Sequence, residues 1–486
     1  MEELSALITN ATWTVIKCGP NTPKLHSKWV YKKKRDSSGA AERYKARLVA
    51  CGDEQVLGVN YTLTFAAVLE MTSGKVIFAF ARIWGVRARH GDVPNAYVKA
   101  MTEEGIEIVL VIPKGMDISK ETMADLGAND LKELGLRLDR SLYGLKQAGR
   151  LWHSLLHQTL VQHGFTQCVT DSCLYFKADS SGTTLVGTYV DDLLVTGTST
   201  ERVDAFFAEM QVLSLKDLGP ATMFLGVSIE YENKSGYSFG QKHAIEEMLQ
   251  KHGLAQAHSV RCPIGEEQDV SISTDELLPE SPVRSDPTVP TIKTFQSLVG
   301  ALLWITRCTR PDIAFAVHRA TRHTHAPTLS DWKLAKRIAR YLAGSLDLRF
   351  HMVEDQPITS VIDLVCYTDA DFGGDREDRK SVSGAVLCMN GLVVGWTCKK
   401  QSSVSLSTAE AEFVAASTAA ILQVKNEASS GRVKHIDIMI KFLRDYAAKG
   451  LVEPQYIGTN DMIADILTKA LPAPRVLALR TACGLW

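Results

Sequence analysis

The sequence lacks the paired cysteines and histidines of a structural zinc site. Its ten cysteines are scattered from Cys18 to Cys483, with no Cys-x-x-Cys pair and no cysteine and histidine cluster at zinc-ligand spacing. The opening residues Met1-Glu2-Glu3 contain no basic region, and no long apolar run follows them, so we expect no secretory signal. The apolar run from Leu298 to Ile305 is too short for a bilayer, which needs roughly 20 apolar residues. Unpaired cysteines and the missing signal together favour a reducing compartment without a membrane partner.

The sequence also lacks an excess of positive charge. Its 54 lysines and arginines against 55 aspartates and glutamates give a net charge of -1, so any nucleic-acid binding must depend on local charge. Basic residues are concentrated on two strand-like segments around Asp36-Ser37-Ser38-Gly39, a pattern that predicts a basic β-hairpin. A solvated charged surface and a phosphate-contacting surface both fit this hairpin.

The length of 486 residues exceeds what one hydrophobic core usually serves, and 45% hydrophobic residues are typical of globular domains. Three blocks differ in sequence pattern. Residues 1–256 alternate helical and strand patterns, residues 257–360 contain a linker (265–291) and a helical connection segment, and residues 361–486 form a second α/β domain. The predicted elements are strands 106–111 and 185–195, helices 76–84, 151–163, 294–307, 329–343 and 408–420, strands 364–368, 381–388 and 392–398, and a closing helix at 463–470.

A pair of adjacent acids lies between two apolar strand-like runs. Tyr189-Val190-Asp191-Asp192 predicts a hairpin whose turn holds the acids, and a turn allows neighbouring carboxylates to approach one ion. Asp92 follows another strand-like stretch and could join them. Packed carboxylates repel, which a magnesium ion relieves, and two such ions roughly 3.5 to 4 Å apart support nucleotidyl transfer. An ordinary Asp-rich β-turn is the alternative for the pair taken alone.

Three separated segments resemble copia-type reverse transcriptase, a part of the Pol polyprotein of LTR retrotransposons. They are Tyr44-Lys45-Ala46-Arg47-Leu48-Val49-Ala50, Ser141-Leu142-Tyr143-Gly144-Leu145-Lys146-Gln147-Ala148 and Tyr189-Val190-Asp191-Asp192. The resemblance continues through Ser297-Leu298-Val299-Gly300 and Thr309-Arg310-Pro311-Asp312. It implies an α+β right-hand polymerase with fingers and palm, followed by a truncated RNase H-like α/β domain.

By this resemblance Asp92, Asp191 and Asp192 are the catalytic carboxylates that bind Mg²⁺, with Mn²⁺ as an alternative ion. Four further residues resemble the nucleotide site of the family: Lys45, Arg47, Tyr97 and Gln147. Tyr97 would exclude a ribose 2′-hydroxyl and so select dNTPs, and an aromatic that packs on the core is the alternative. The chain departs from the family pattern at Gly52-Asp53 and at Gly149, and neither change affects a carboxylate.

Three acids near the C-terminus resemble RNase H metal ligands: Asp369, Glu410 and Asp465. The alternative for Glu410 is a capping box with Ser407, and the alternative for Asp465 is an ordinary acid at a helix start. Relative to the family pattern, a strand with a terminal aspartate is missing, which predicts an internal deletion near residue 420. Residues 433–438 then resemble a later family helix. Loss of one ligand predicts an inactive or feeble RNase H and an unpaired sheet edge.

The resulting hypothesis is an RNA-directed DNA polymerase of a copia-type retrotransposon. Its partners would be an RNA template, a DNA or tRNA primer and dNTPs, without a membrane. The resemblance implies an intracellular place of action, in cytoplasmic retroelement particles, with the nucleus left open. The alternative is a catalytically inactive retroelement relic or a co-opted nucleic-acid-binding protein.

Overall fold

The computed structural model describes residues 2–35, 41–265, 276–282, 289–353, 362–423 and 447–486. Its contacts divide the chain into two compact units, Met1–Glu70 with Arg89–Gly219 and Met71–Ala88 with Pro220–Trp486. Residues 71–88 join the later part of the chain because Phe78 packs edge-on against Tyr237 and Phe239, with ring centroids 5.0 Å apart in both pairs. The compact units therefore do not follow the boundaries at 256 and 360, which stay a prediction.

The secondary structure mixes α and β throughout. The α-helices of the described residues are α1 (Glu2–Thr9), α2 (Met71–Ile83), α3 (Lys120–Asp125), α4 (Ala148–Gln162), α5 (Thr200–Glu209), α6 (Lys242–Lys251), α7 (Ile292–Cys308), α8 (Ala314–Thr321), α9 (Leu329–Ala343), α10 (Thr408–Gln423) and α11 (Ala473–Ala482). The strands are β1 (Trp13–Lys17), β2 (Ser27–Arg35), β3 (Ala41–Ala50), β4 (Arg89–Asp92), β5 (Val109–Leu110), β6 (Leu134–Leu138), β7 (Thr166–Gln167), β8 (Leu174–Asp179), β9 (Gly182–Tyr189), β10 (Asp192–Gly197), β11 (Lys216–Pro220), β12 (Met223–Phe224), β13 (Val227–Glu232), β14 (Gly236–Gly240), β15 (Phe350–Met352), β16 (Leu364–Ala370), β17 (Val382–Met389) and β18 (Leu392–Lys400). None of these helices is both long and apolar enough to cross a bilayer.

The first unit is built around a six-stranded sheet in the order β11-β4-β10-β9-β8-β7. Its central strand β10 carries the fully buried Leu193, Leu194 and Val195, so burial on both faces explains the unbroken apolar run in the sequence. A second sheet has the order β1-β6-β5, and β2 with β3 forms a two-stranded ribbon. The predicted basic hairpin is confirmed as this ribbon, while its tip at residues 36–40 lies outside the described residues.

The second unit contains a helical layer formed by α7, α8 and α9. Phe295, Leu302 and Ile338 are completely buried in its core. Helix α9 begins and ends where the sequence predicts, and a capping box between Thr328 and Asp331 explains its start. Part of the predicted linker is fixed on this layer, since Leu278 is 3% exposed within the same core. Residues 266–275 and 283–288 of the linker lie outside the described residues.

Two further sheets complete the second unit, with the orders β12-β13-β14-β15 and β16-β17-β18. A tight turn joins β17 and β18, with positive φ at Asn390 (48°) and Gly391 (78°). The predicted closing helix at 463–470 is wrong in type, because residues Ile463–Leu467 form a short 3₁₀ helix and an α-helix starts only after Pro472. Among the described strands, β16 pairs with β17 alone. The predicted deletion near 420 and the helix at 433–438 fall on or beside residues 424–446, which lie outside the described residues.

Candidate active site

Two strands of the first unit bring three acids together. Strand β4 pairs antiparallel with β10 so that Asp92 lies directly opposite Asp192. The β9–β10 hairpin closes with the pair Tyr189 and Asp192, which places Asp191 in its two-residue turn. Directly opposed residues of an antiparallel pair have Cβ atoms about 5 Å apart. The structure thus assembles Asp92, Asp191 and Asp192 into one group, here called the first carboxylate cluster.

The turn that carries Asp191 is held in a strained shape. Val190 has φ +57°, a left-handed conformation that a β-branched residue rarely adopts. The indole nitrogen of Trp152 donates to the Val190 carbonyl at 2.6 Å, and the Val93 amide donates to the Asp191 carbonyl at 3.0 Å. Strain of this kind costs on the order of 1–3 kcal/mol and persists where neighbouring contacts fix the backbone. Both hydrogen bonds therefore fix the acidic turn against α4 and the strand end of β4.

The first carboxylate cluster concentrates negative charge. Burial raises the pKa of Asp191, and the charges of Asp192 and Asp92 raise it further, although a backbone hydrogen bond and Arg47 act in the opposite direction. Carboxylate oxygens are the ligands that Mg²⁺ prefers, so this donor set fits a divalent cation. Within the part of the chain that the structure describes, no three His, Cys, Asp or Glu side chains, these acids included, are arranged closely enough to hold a metal ion, so the fit rests on the chemistry of the donor set.

Two tyrosines and an arginine form a stack beside the cluster. The Tyr97 and Tyr143 rings lie 5.0 Å apart, and the Arg47 guanidinium lies 4.5 Å above the centre of the Tyr143 ring. Burial raises the pKa of Tyr97, and the nearby charge of Asp191 raises it further, so the phenol stays protonated. Of the four predicted nucleotide-site residues, the structure thus brings Arg47 and Tyr97 to the carboxylates. The side chain of Lys45 lies outside the described residues.

The fourth predicted nucleotide-site residue, Gln147, is buried and already hydrogen-bonded. It is 1% exposed, and its amide donates to the Asn60 carbonyl at 2.9 Å and accepts from the Gln55 amide at 3.0 Å. Gln55 also accepts from the Lys146 amide at 2.7 Å. These contacts tie the segment 55–60 to the start of α4, a role for Gln55 that the sequence alone did not indicate. A contact between Gln147 and a nucleotide stays a prediction.

Close backbone packing requires a glycine at position 144 in the Ser141–Ala148 segment. Gly144 has φ +91°, and a Cβ atom there would lie 2.2 Å from the Ala50 carbonyl oxygen. A Cβ on Gly52 would in turn lie 2.1 Å from the Gly144 carbonyl oxygen. Glycine at both positions therefore lets the end of β3 and the loop before α4 approach backbone to backbone. This contact places Tyr143 and Arg47, which flank it, beside each other.

A second group of acids lies in the second unit, and its carboxylates are already paired. Asp369 and Asp465 are 8% and 4% exposed. The Lys469 ammonium lies 2.7 Å from Asp465 Oδ1 and 3.4 Å from Asp369 Oδ2. Asp369 Oδ2 also accepts from the Thr468 hydroxyl, and Arg475 lies 3.2 Å from Asp465 Oδ2. The structure brings these two acids together around a cation that the sequence did not indicate, and their role as metal ligands stays a prediction.

Glu412, rather than Glu410, is the glutamate that faces this second group. Glu410 accepts from the Leu406 amide, and the Ser407 hydroxyl accepts from the Glu410 amide at 3.1 Å, so Glu410 forms a helix cap. Glu412 lines a cavity of about 620 Å³ together with Asp369 and Asp465. The residue as a whole is more than a third exposed, so it is shielded from solvent only in part. Burial and the Asp369 charge raise the pKa of Glu412 to about 7.

The second group does not fit a divalent cation as it stands. Asp369 and Asp465 share the Lys469 ammonium, and Glu410 is occupied by its helix cap. A cation would have to displace the Lys469 ammonium from both carboxylates. The periodicity of a helix shows that Glu410 and Glu412, two residues apart, point in different directions. It does not show which of the two faces Asp369.

Comparisons with known proteins agree with the resemblance seen in the sequence. The family model described as "Reverse transcriptase (RNA-dependent DNA polymerase)" matches residues 10–266, just over half of the chain. The chain is 30% identical over 516 residues to the retrovirus-related Pol polyprotein from transposon TNT 1-94 of Nicotiana tabacum, covering 100% of this chain. It is 29% identical to the polyproteins from transposons RE2 and RE1 of Arabidopsis thaliana, covering 96% of this chain in both cases.

The matched relatives are longer than this chain. The alignments cover 37% of the tobacco polyprotein and 32% of each Arabidopsis polyprotein. The chain therefore spans about a third of the length of these relatives.

Proposed function

The chain belongs to the reverse transcriptase (RNA-dependent DNA polymerase) family of copia-type Pol polyproteins, and we propose that it extends a primer on an RNA template by nucleotidyl transfer. One observation carries this proposal. The β4–β10 register sets Asp92 opposite Asp192, with Asp191 in the adjoining turn. Reverse transcriptases generally use divalent ions, and this is where the chain gathers carboxylates for them.

Asp92, Asp191 and Asp192 would hold Mg²⁺, with Mn²⁺ as the alternative. A pair of such ions would supply Lewis-acid chemistry there: it would lower the pKa of the primer 3′-hydroxyl and would stabilise negative charge on the leaving pyrophosphate. Burial raises the pKa of Asp191, and the charges of Asp192 and Asp92 raise it further; the charge contribution supports this proposal, because a cation would offset it. The strained turn at Val190 supports it as well, since such strain is concentrated at functional sites.

The residues around the carboxylates would bind and orient the nucleotide. Tyr97, half-buried and stacked at 5.0 Å on Tyr143, offers a rigid ring on which the sugar of a dNTP would rest. That ring would leave no space for a ribose 2′-hydroxyl. The Arg47 guanidinium, held over Tyr143 at 4.5 Å, would meet the triphosphate as a fixed cation. Lys45 and Gln147 complete the proposed nucleotide site by resemblance.

In this proposal residues 1–256 supply fingers and palm, residues 257–360 supply the linker and connection segment, and residues 361–486 form an RNase H-like domain. The domain would cleave RNA weakly or not at all, because Lys469 already occupies the space between Asp369 and Asp465. The partners are an RNA template, a DNA or tRNA primer and dNTPs, with an intracellular place of action in cytoplasmic particles or the nucleus. The exposed Lys33 on the basic ribbon would contribute to phosphate binding.

The test is magnesium-dependent dNTP incorporation on a primed RNA template, with Asp191→Asn as the inactive variant. Asp125→Asn is the matched control, because Asp125 is an exposed acid at the end of α3. We expect Asp191→Asn to lose at least about 100-fold in rate, as removal of one charged group from a pre-organised site does, and Asp125→Asn to match the unchanged protein.

Equal incorporation by Asp191→Asn and the unchanged protein would refute the assignment of the site. No incorporation by any of them, with retained binding to the template, would favour the second candidate, a relic or co-opted nucleic-acid-binding protein. The paired acids of the second group are the observation that favours this candidate. A template labelled in its RNA strand measures cleavage in the same reaction, and strong cleavage would contradict an impaired RNase H.

A further inference from the structure

One histidine contacts the first carboxylate cluster without belonging to it. His90 Nε2 lies 2.9 Å from Asp192 Oδ1. The His90 side chain is 18% exposed and the Asp192 side chain 35% exposed, so solvent reaches the pair only in part. A carboxylate oxygen accepts, so the imidazole donates from Nε2.

The strand register explains why this contact forms. His90 and Asp92 are two residues apart on β4, so their side chains leave the same face of the sheet. Asp92 is opposite Asp192, and His90 is opposite Leu194. His90 and Asp192 are therefore diagonal neighbours, and such neighbours are within reach of ring side chains.

Gly91, between His90 and Asp92 on β4, also helps to fix the strand. A Cβ atom on Gly91 would lie 3.0 Å from Leu215 and 3.1 Å from Phe207, so the opposite face of β4 packs closely on apolar side chains. This packing holds β4 in place on the sheet. The imidazole of His90 consequently approaches Asp192 from a fixed backbone rather than from a movable loop.

We propose that His90 is a positioning residue for the divalent cation of the first carboxylate cluster. Its Nε2–H bond to Oδ1 fixes the rotation of the Asp192 carboxylate and leaves the other oxygen to face the cation held with Asp92 and Asp191. The inference rests on the proposed function only for the identity of the ion site. Partners that orient ligand carboxylates typically change metal affinity by about 10- to 100-fold.

The test measures Mn²⁺ binding directly, by the electron paramagnetic resonance signal of the free ion, in the full chain without nucleic acid. His90→Leu removes the donor, and His90→Gln restores an N–H at a similar reach. His26→Leu is the matched control, since His26 Nδ1 lies 3.0 Å from Glu54 in the same unit, in another histidine–carboxylate pair. Asp192→Asn defines the binding that does not depend on the cluster.

We expect the dissociation constant of the cluster-dependent Mn²⁺ to rise about 10-fold or more in His90→Leu, to recover at least in part in His90→Gln, and to stay unchanged in His26→Leu. An unchanged or lower constant in His90→Leu would overturn the proposal. If His90→Leu does not fold, as judged by circular dichroism, His90→Phe takes its place as the variant without the donor, with the same expected rise and the same overturning result.

The experiment separates this inference from the proposed function. If the unchanged protein binds Mn²⁺ through Asp192 but incorporates no dNTP, the polymerase proposal fails while the His90 result stands. If it incorporates dNTP and His90→Leu binds Mn²⁺ normally, the positioning role fails alone. A rise in the Mg²⁺ concentration needed for half-maximal incorporation, with little change in the rate at saturating Mg²⁺, would add support that a merely structural role could not give.

Discussion

The stability of the second unit should depend on the protonation of one buried lysine. Lys75 on α2 is 6% exposed. Its ammonium lies 3.4 Å from the centre of the Trp396 ring, and it donates to the Arg307 carbonyl at 3.3 Å. Burial lowers the pKa of Lys75 from 10.5 to about 7. Between about pH 7 and pH 10.5, Lys75 is therefore protonated in the unfolded chain but neutral in the folded chain.

The sign of the effect follows from this difference in bound protons. Because the unfolded state holds more protons in that interval, the free energy of unfolding rises with pH. One pH unit corresponds to about 1.4 kcal/mol at most. The Trp396 ring stabilises the charged form of Lys75 by up to about 2 kcal/mol when desolvated. This contact raises the pH at which the folded protein loses the proton, so the pH range of the effect becomes shorter at its lower end. From pH 7 to pH 9 we therefore expect a gain of about 1–2 kcal/mol relative to a variant without the amine.

The perturbation is Lys75→Met, which keeps the length of the side chain and removes its charge. Urea denaturation followed by tryptophan fluorescence, at pH 7, 8 and 9, gives the free energy of unfolding of both proteins. The other buried thiols titrate in both proteins and cancel in the difference, whereas Cys308 interacts with Lys75 and contributes to it. Lys333→Met, at an exposed position of α9, is the control. Parallel pH profiles of Lys75→Met and the unchanged protein would refute the reasoning.

Two further predictions concern packing. Arg310→Met should destabilise the second unit by about 3–5 kcal/mol, because Arg310 donates two hydrogen bonds of 2.8–2.9 Å to Asp312 and both residues are at most 3% exposed. The double variant Arg310→Met/Asp312→Leu should recover much of this stability, as measured by hydrogen exchange of α7–α9. An equal loss of stability in the single and the double variant would contradict the prediction. Gly144→Ala should destabilise the first unit by at least about 2 kcal/mol, because the new Cβ meets the Ala50 carbonyl. Gly105→Ala, with φ +75° but open space, isolates the backbone contribution, and equal urea midpoints for the two glycine variants would count against the clash.

Local patterns predicted the elements whose cause is local. Helix α9 was found to the residue because its capping residues and its apolar periodicity agree. The β9–β10 hairpin followed from two apolar runs around an acidic turn. The 3₁₀ turn at Ile463–Leu467 was missed because its residues have a helical pattern, and Pro472 starts the true helix later. Where a second helix-start signal such as Pro472 lies only a few residues away, the local sequence pattern does not decide where the α-helix begins.

The sequence by itself determined the family, and it predicted the three acids of the first carboxylate cluster and the tyrosine beside them, because these are fixed residue types in short motifs. Only the tertiary structure decided that Glu412 faces Asp369 while Glu410 caps its helix, that Lys469 lies between two acids, and that His90 reaches Asp192. The physical reason is distance along the chain. Contacts between residues far apart in sequence depend on strand register and helix rotation, and a shift of one residue in either turns a side chain to another face.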